Sequence, residues 1–243
     1  GRVHLLGTDE MGHDIFSMVL SGFRYTMLFS LTAALGSVSL GTVLAFASLY
    51  FPRIGRGINH LATVFLIIPD ILLIILLGMA LKDPLDKLST QPGFKWMQTL
   101  GPNMISIFII FALLYWVGMA RIVRSQILIL KESEYVTAAR ALGASSGRII
   151  KKHLLTNCIG TLIVTTTLQI PASIFTESYL SFIGLGVAAP LPSLGSLATD
   201  AVKGMNTYPH LLIAPALMIS VMILVFNLFG DGLRDAFDPK LKN

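Results

Sequence analysis

Five stretches of this chain carry little or no charge over lengths that match a bilayer. Arg24 and Arg53 bracket 28 uncharged positions, and residues 58–81 hold one interior charge, Asp70. Lys95 and Arg121 then bracket 25 uncharged residues, His153 and Glu177 bracket 23, and Lys203 and Asp231 bracket 27. A crossing helix needs about 20 mostly apolar residues. In hydrocarbon the backbone has no water to bond, so each crossing must close its own hydrogen bonds as a helix. The chain is therefore expected to be an all-α polytopic membrane protein with five transmembrane helices. They are predicted at about 25–50, 58–81, 104–125, 155–180 and 207–229. Residues 1–24 form an outer segment leading into the first span.

Charge content agrees with this. Only 13% of the residues are charged and mean hydropathy is +0.75, whereas soluble domains carry about a quarter charged residues. The net charge of +5 signals no nucleic-acid partner, because its placement follows the membrane. Lys and Arg divide unevenly between the alternating connectors. Twelve of the 18 fall in 51–57, 121–153 and 231–243, and six on the other side. The excess marks the first side as cytoplasmic, which puts the start of the chain outside and the tail 231–243 inside. The chain opens at Gly1 with neither Met nor a basic-then-apolar leader. An odd number of spans with an outer start leads to the expectation of a sixth, preceding span absent from this sequence.

Residues 127–153 are too polar for lipid. Ala138, Ala139, Arg140, Ala141 and Leu142 favour helix, and Gly143 can take the left-handed conformation that ends one. A second helical run is predicted over 147–155, and Glu132 and Glu134 sit early in the first helix, where the macrodipole favours negative charge. The expected shape is a helix–turn–helix elbow below the membrane; a charged loop taken alone is also compatible with plain solvation. The first span is rich in small residues (Ala33, Ala34, Gly36, Ser37, Ser39, Gly41, Ala45, Ala47, Ser48), which let helices approach closely.

Polar residues inside the spans are candidates for a pathway. Asp70 follows Pro69, which should bend the second span, so Asp70 either faces a water-filled cavity or caps the broken half-helix. Thr166 and Gln169 share a face of the fourth span at a spacing of three, suited to a peptide backbone or to a neighbouring helix. Glu177 is expected near the outer end of that span, holding 178–187 or touching substrate. No Gly-x-x-x-x-Gly-Lys-Ser/Thr phosphate loop is present, so the chain is not expected to bind ATP or any other cofactor. Neither a His-Glu-x-x-His zinc site nor a nucleophile with a base partner is evident, so catalytic and metal roles are not expected.

The elbow sequence Glu134-Tyr-Val-Thr-Ala-Ala-Arg-Ala-Leu-Gly143, with Arg148-Ile-Ile and His153-Leu-Leu-Thr-Asn157, resembles the coupling loop of ABC importer permeases. It is most similar to that of the dipeptide/oligopeptide/nickel branch. Three further blocks resemble that branch: His4-Leu-Leu-Gly-Thr-Asp-Glu-Met-Gly-His-Asp14, Glu177-Ser-Tyr-Leu-Ser-Phe-Ile-Gly-Leu-Gly-Val187 with Pro192-Ser-Leu-Gly195, and Gly230-Asp-Gly-Leu-Arg-Asp-Ala-Phe-Asp-Pro239. The chain departs from the family at Thr156 and Leu5, where proline is usual, and at His13, where arginine is usual.

The resemblance implies a type I ABC importer permease fold and a single transmembrane permease domain, similar to the "C" subunit of oligopeptide systems. It implies a second homologous permease subunit, two cytoplasmic ATP-binding subunits that carry ATP and Mg²⁺, and an extracytoplasmic substrate-binding protein. It places the complex in a bacterial or archaeal cell membrane. The residues it assigns to docking on the ATPase are Glu134, Tyr135, Ala138, Ala139, Arg140, Gly143, Ala144 and Arg148. The implied cargo is peptide, or alternatively nickel or another small solute. The residues alone also admit an ATPase-independent channel or secondary transporter using Asp70 and Glu177 as ion sites.

Overall fold

The computed structural model of the chain describes residues 4–186 and 192–237. Arg2, Val187 and the tail positions 238–243, with Lys240 and Lys242, lie outside the described residues. The architecture is helical, and among the described residues the only β pairing is a single bridge between Thr8 and Asp14.

Helix α1 (Ile15–Tyr50) starts ten residues before the uncharged stretch does. Its start is set by Asp14, whose carboxylate accepts the Ser17 amide at 3.0 Å, the N-cap bond that satisfies an otherwise orphaned donor. The Ser17 hydroxyl and amide also hold the Asp14 carboxyl below its ordinary range. At 36 residues and 1.5 Å per residue, α1 is about 54 Å long and protrudes from a bilayer. One stripe of it is buried: Thr26, Ser30, Ala33, Ala34, Ser37, Gly41, Ala45 and Ser48. Gly36 and Ser39 fall on the exposed side.

The stripe packs on α5 (Pro102–Lys131). A Cβ placed on Gly41 would lie 2.7 Å from Met119 Cβ, so the two helices touch through the missing side chain. Gly41→Leu is expected to cost about 1–3 kcal/mol by overpacking. Gly36→Leu, with nothing within 4 Å of its Cβ position, is expected to be silent. Thermal melts of the two variants in detergent compare them directly.

The second predicted span is not one straight helix. Helices α2 (Pro52–Ile67) and α3 (Asp70–Ser89) meet at 100°. Ile68 is extended, with φ −91° and ψ 133°, the conformation a residue before proline is pushed into. Pro69 also cannot donate a helical bond. Among the described residues four helices are long and apolar enough to cross a membrane, or five if the bent pair counts as one span. After the short α4 (Trp96–Leu100), α5 runs past the expected end of its span to Lys131, carrying Arg121 and Arg124 on the helix.

The insert holds α6 (Glu134–Ala141) and then α7 (Ser146–Arg148), which passes through a π-helical turn, Ile149–Leu154, into α8 (Leu155–Phe182). The second run of the elbow is thus continuous with the next span, and helix passes through Thr156 without a stop. The Thr156 hydroxyl donates to the Lys151 carbonyl at 3.3 Å. Its N–H is intact, so the interruption a proline would cause is absent. Glu132 caps the end of α5 instead of opening α6. Helix α8 ends at Gly184 (φ +80°), where the Leu185 amide donates to the Leu180 carbonyl and the Gly184 amide to that of Ser181, a Schellman cap. Helices α9 (Leu194–Val202) and α10 (His210–Phe237) are the last helices of the described residues.

Among the described residues three apolar clusters hold the bundle. One near the elbow joins Ala45, Trp116, Val123, Ile127, Val136, Ile149, Leu154 and Cys158. A second centres on Phe29, Ile74, Ile110 and Phe111, and a third, at the opposite end, on Ile15, Ile174, Leu194 and Met222.

Candidate functional site

The elbow is a braced protrusion. Helix α6 is anchored by Val136, which is 0% exposed within the first cluster. Its end is closed at Gly143 (φ +80°) by a second Schellman cap. The Ala144 amide donates to the Ala139 carbonyl and the Gly143 amide to that of Arg140, each at 3.0 Å. Nothing lies within 4 Å of a Cβ built on Gly143, so glycine is required there by backbone conformation and not by crowding. Glu134, Tyr135, Ala138, Arg140 and Arg148 are exposed, and Ala139 and Ala144 half-buried. Leu142 stands 90% exposed at the tip. The Tyr135 ring lies 6.1 Å from that of His153, and Arg140 and Ala144 share a cleft of about 330 Å³ with Leu49, Tyr50 and Lys131.

Farther from the elbow, the break at Pro69 opens a cavity of about 650 Å³ between α3, α5 and α8. Asp70 and Gln169 line it, together with Tyr115, Thr165 and Thr176. Asp70 opens α3, where the positive end of the helix favours it, and makes no side-chain capping bond. The Gln169 amide bonds the Ser37 hydroxyl at 2.9 Å, tying α8 to α1, and Ser37 also donates to the Tyr115 carbonyl at 2.9 Å. The Tyr115 hydroxyl donates to Thr176 Oγ1 at 2.9 Å.

The other two expected pathway residues do not line this cavity. Thr166 turns its hydroxyl back to the Leu162 carbonyl of its own helix. Glu177 is 0% exposed and receives hydrogen bonds from Ser181 Oγ at 2.8 Å and Thr26 Oγ1 at 3.2 Å. Thr26 in turn accepts the Leu194 amide at 3.3 Å. The carboxyl therefore fastens α1, α8 and the start of α9 together.

From residue 37 to residue 243 the chain matches the profile of the family described as "Binding-protein-dependent transport system inner membrane component". The chain belongs to this family. The permease is 38% identical over 242 residues to the oligopeptide transport system permease protein OppC of Bacillus subtilis (strain 168), covering 98% of this chain and 72% of that protein. It is 38% identical to the dipeptide transport system permease protein DppC of the same organism, covering 98% of this chain and 69% of that protein. It is 34% identical to the glutathione transport system permease protein GsiD of Pectobacterium atrosepticum, covering 99% and 74%. Among solved structures it shares its fold with an amino acid ABC transporter (TM-score 0.66, 16% identity, 91% of this chain and 95% of that one). The same holds for the MetNI methionine ABC transporter in an inward-facing conformation (TM-score 0.66, 16% identity, 94% and 99%). The permease is thus a multi-pass membrane component of an ABC transporter with the type I importer permease fold.

At its elbow-distal end the permease folds residues 4–14 into a tight turn. His13 bonds Asp9 through its ring at 2.9 Å and through its amide at 2.7 Å. His4 reaches Asp14 at 3.2 Å, while Leu5 is 77% exposed. Sequence reasoning missed two sets of residues. The Tyr115–Thr176 and Ser37–Gln169 bonds join side chains 61 and 132 positions apart, and no local signal marks such pairs. Arg121 and Arg124 count among the connector charges in the sequence, although their spacing of three puts them on one helical face.

Proposed function

We propose that this permease forms half of the translocation pathway of an ATP-driven, binding-protein-dependent importer of di- or oligopeptides. It pairs with a second, homologous permease subunit, and cargo arrives from an extracytoplasmic binding protein. The elbow, the Phe51 junction and the C-terminal tail face the cytoplasm, where the elbow docks on one of two ATPase subunits through Glu134, Tyr135, Ala138, Ala139, Arg140, Gly143, Ala144 and Arg148. Counting α2 and α3 as one bent span gives five crossings. The observation that carries this reading is the construction of the elbow. One fully buried side chain and a glycine-closed turn hold α6 rigid, while Leu142 projects 90% exposed. Held on a capped helix in this way, the tip presents a fixed surface for a partner to receive. Peptide is favoured over nickel as cargo because the relatives carry oligopeptide, dipeptide and glutathione in their names.

The test is crosslinking in the purified complex. A cysteine at Ala138 or Leu142 is expected to join the ATPase subunit, and proteoliposomes to take up trialanine only when ATP is supplied on the elbow side. Uptake that proceeds without any ATPase would instead establish a channel or secondary transporter.

A further inference from the structure

A second cavity, of about 630 Å³, lies on the elbow side of the first, between α2 and α5. Leu66 lines both, so the two adjoin, end to end, along one furrow beside α5. Along α5 it extends from Leu114 to Ile129, about 22 Å at the helical rise. Its charges are segregated. Among the described residues lining it, Asp70 is the only carboxylate, in the half far from the elbow, and Arg121 and Arg124 are the only cations, in the near half. None of the three is in an ion pair among the described residues. Arg124 donates from Nη1 to Ser48 Oγ at 2.6 Å, which orients its guanidinium and leaves its other N–H groups for a ligand. Arg121 is exposed.

We propose that Arg121, with Arg124 beside it, is a station for the free C-terminal carboxylate of the transported peptide, and that Asp70 is the matching station for its ammonium group. The peptide then descends carboxylate first toward the elbow. The assignment rests on the peptide-importer reading above. A zwitterion carries one charge of each sign at its two ends, and the furrow presents the complementary charges in that order. The guanidinium fork matches carboxylate geometry with two parallel donors. Between the charged stations the wall is largely apolar (Leu66, Ile71, Ile122), with Gln169, Thr165 and Tyr115 near Asp70 as partners for peptide amides. The exposure of Asp70 and Arg121 keeps each contact weak enough for release.

The experiment uses the complete transporter in proteoliposomes and two photo-reactive tripeptides with free termini, Ala-Ala-photoleucine and photoleucine-Ala-Ala. Under turnover the first is expected to label residues around Arg121, such as Leu128 and Ile129, and the second residues around Asp70, such as Ile71 and Phe175. Arg121→Gln is expected to raise the KM for trialanine uptake roughly tenfold or more, as the loss of a charge-assisted hydrogen bond implies, and Arg121→Lys, which keeps the charge but not the fork, to recover only part of it. The maximal ATPase rate should change less than about twofold, since the elbow is untouched. Labelling by both probes at one end, in reversed order, or outside the furrow overturns the proposal. So does an Arg121→Gln defect confined to vesicles containing phosphatidylglycerol, which would give the guanidiniums to a lipid headgroup. If the wild-type complex imports another solute and no trialanine, the peptide reading itself fails, a result distinct from mislabelling.

Discussion

Gly143→Val is expected to cut ATP-driven uptake by the assembled transporter roughly tenfold or more, with normal membrane insertion and an unchanged melt of the isolated permease. Gly143 sits at φ +80° with both Schellman bonds made. A left-handed conformation costs an ordinary L residue about 1–2 kcal/mol, and a β-branched one is the least tolerant. Since nothing lies within 4 Å of its Cβ position, the penalty is pure backbone strain, relieved by unwinding the end of α6. That swings Leu142 and Arg140 away from where the cap holds them, while Val136 stays anchored in the bundle. The series is diagnostic. Gly143→Asn, which tolerates the left-handed region, should transport nearly normally, Gly143→Ala should fall between, and Gly143→Val should be worst. Rates of peptide uptake and of ATP hydrolysis, measured together in proteoliposomes, read the result. Equal transport by all three variants would mean that the hinge carries no load.

Glu177→Leu is expected to lower the stability of the permease by about 2–5 kcal/mol, because removing a shared buried acceptor costs each stranded donor about 1–3 kcal/mol. Thr26 and Ser181 both donate to this carboxyl, and Thr26 in turn positions the Leu194 amide at the start of α9. Close packing leaves no slack: a Cβ on Gly195 would lie 2.5 Å from the Ser178 carbonyl oxygen. The loss should appear as a lower melting temperature in detergent and as faster proteolysis between α8 and α9. Glu177→Gln keeps an acceptor oxygen in place and should recover most of the difference. A Glu177→Leu variant as stable as wild type would show that the junction is held by packing alone.

Much of the fold could be read locally. Charge-free runs of membrane length led to helices because hydrocarbon permits nothing else at those lengths. Pro69 announced a break because proline removes a donor and constrains its predecessor, and Gly143 announced a turn because glycine tolerates positive φ. The small-residue stripe of α1 foretold close packing. Each of these depends on one residue and its immediate neighbours along the chain.

The element boundaries and the site were less legible. The run of α5 to Lys131 overrides the polar character that ends the predicted span near 125, and the helix predicted over 147–155 is continuous with α8 through a π-turn. Helix persists where its apolar face is held, by Ile127 on α5 and by Ile149 and Leu154 below α8. Each of the four polar candidates left two roles open in the sequence. Tertiary packing separated them: Asp70 and Gln169 went to a cavity, Thr166 to its own backbone, and Glu177 to a buried junction with Thr26, 151 positions away.

Local chemistry alone thus determined that this chain is a bundle of membrane helices with a bent basic elbow, since spans, breaks and caps are set within a few residues. Which polar groups face water, which fasten helices, and that Asp70 and Arg121 share one furrow were decided only in three dimensions. Those outcomes depend on where α3, α5 and α8 come to rest against one another, and the side chains that meet there are too far apart in the chain for any local pattern to relate them.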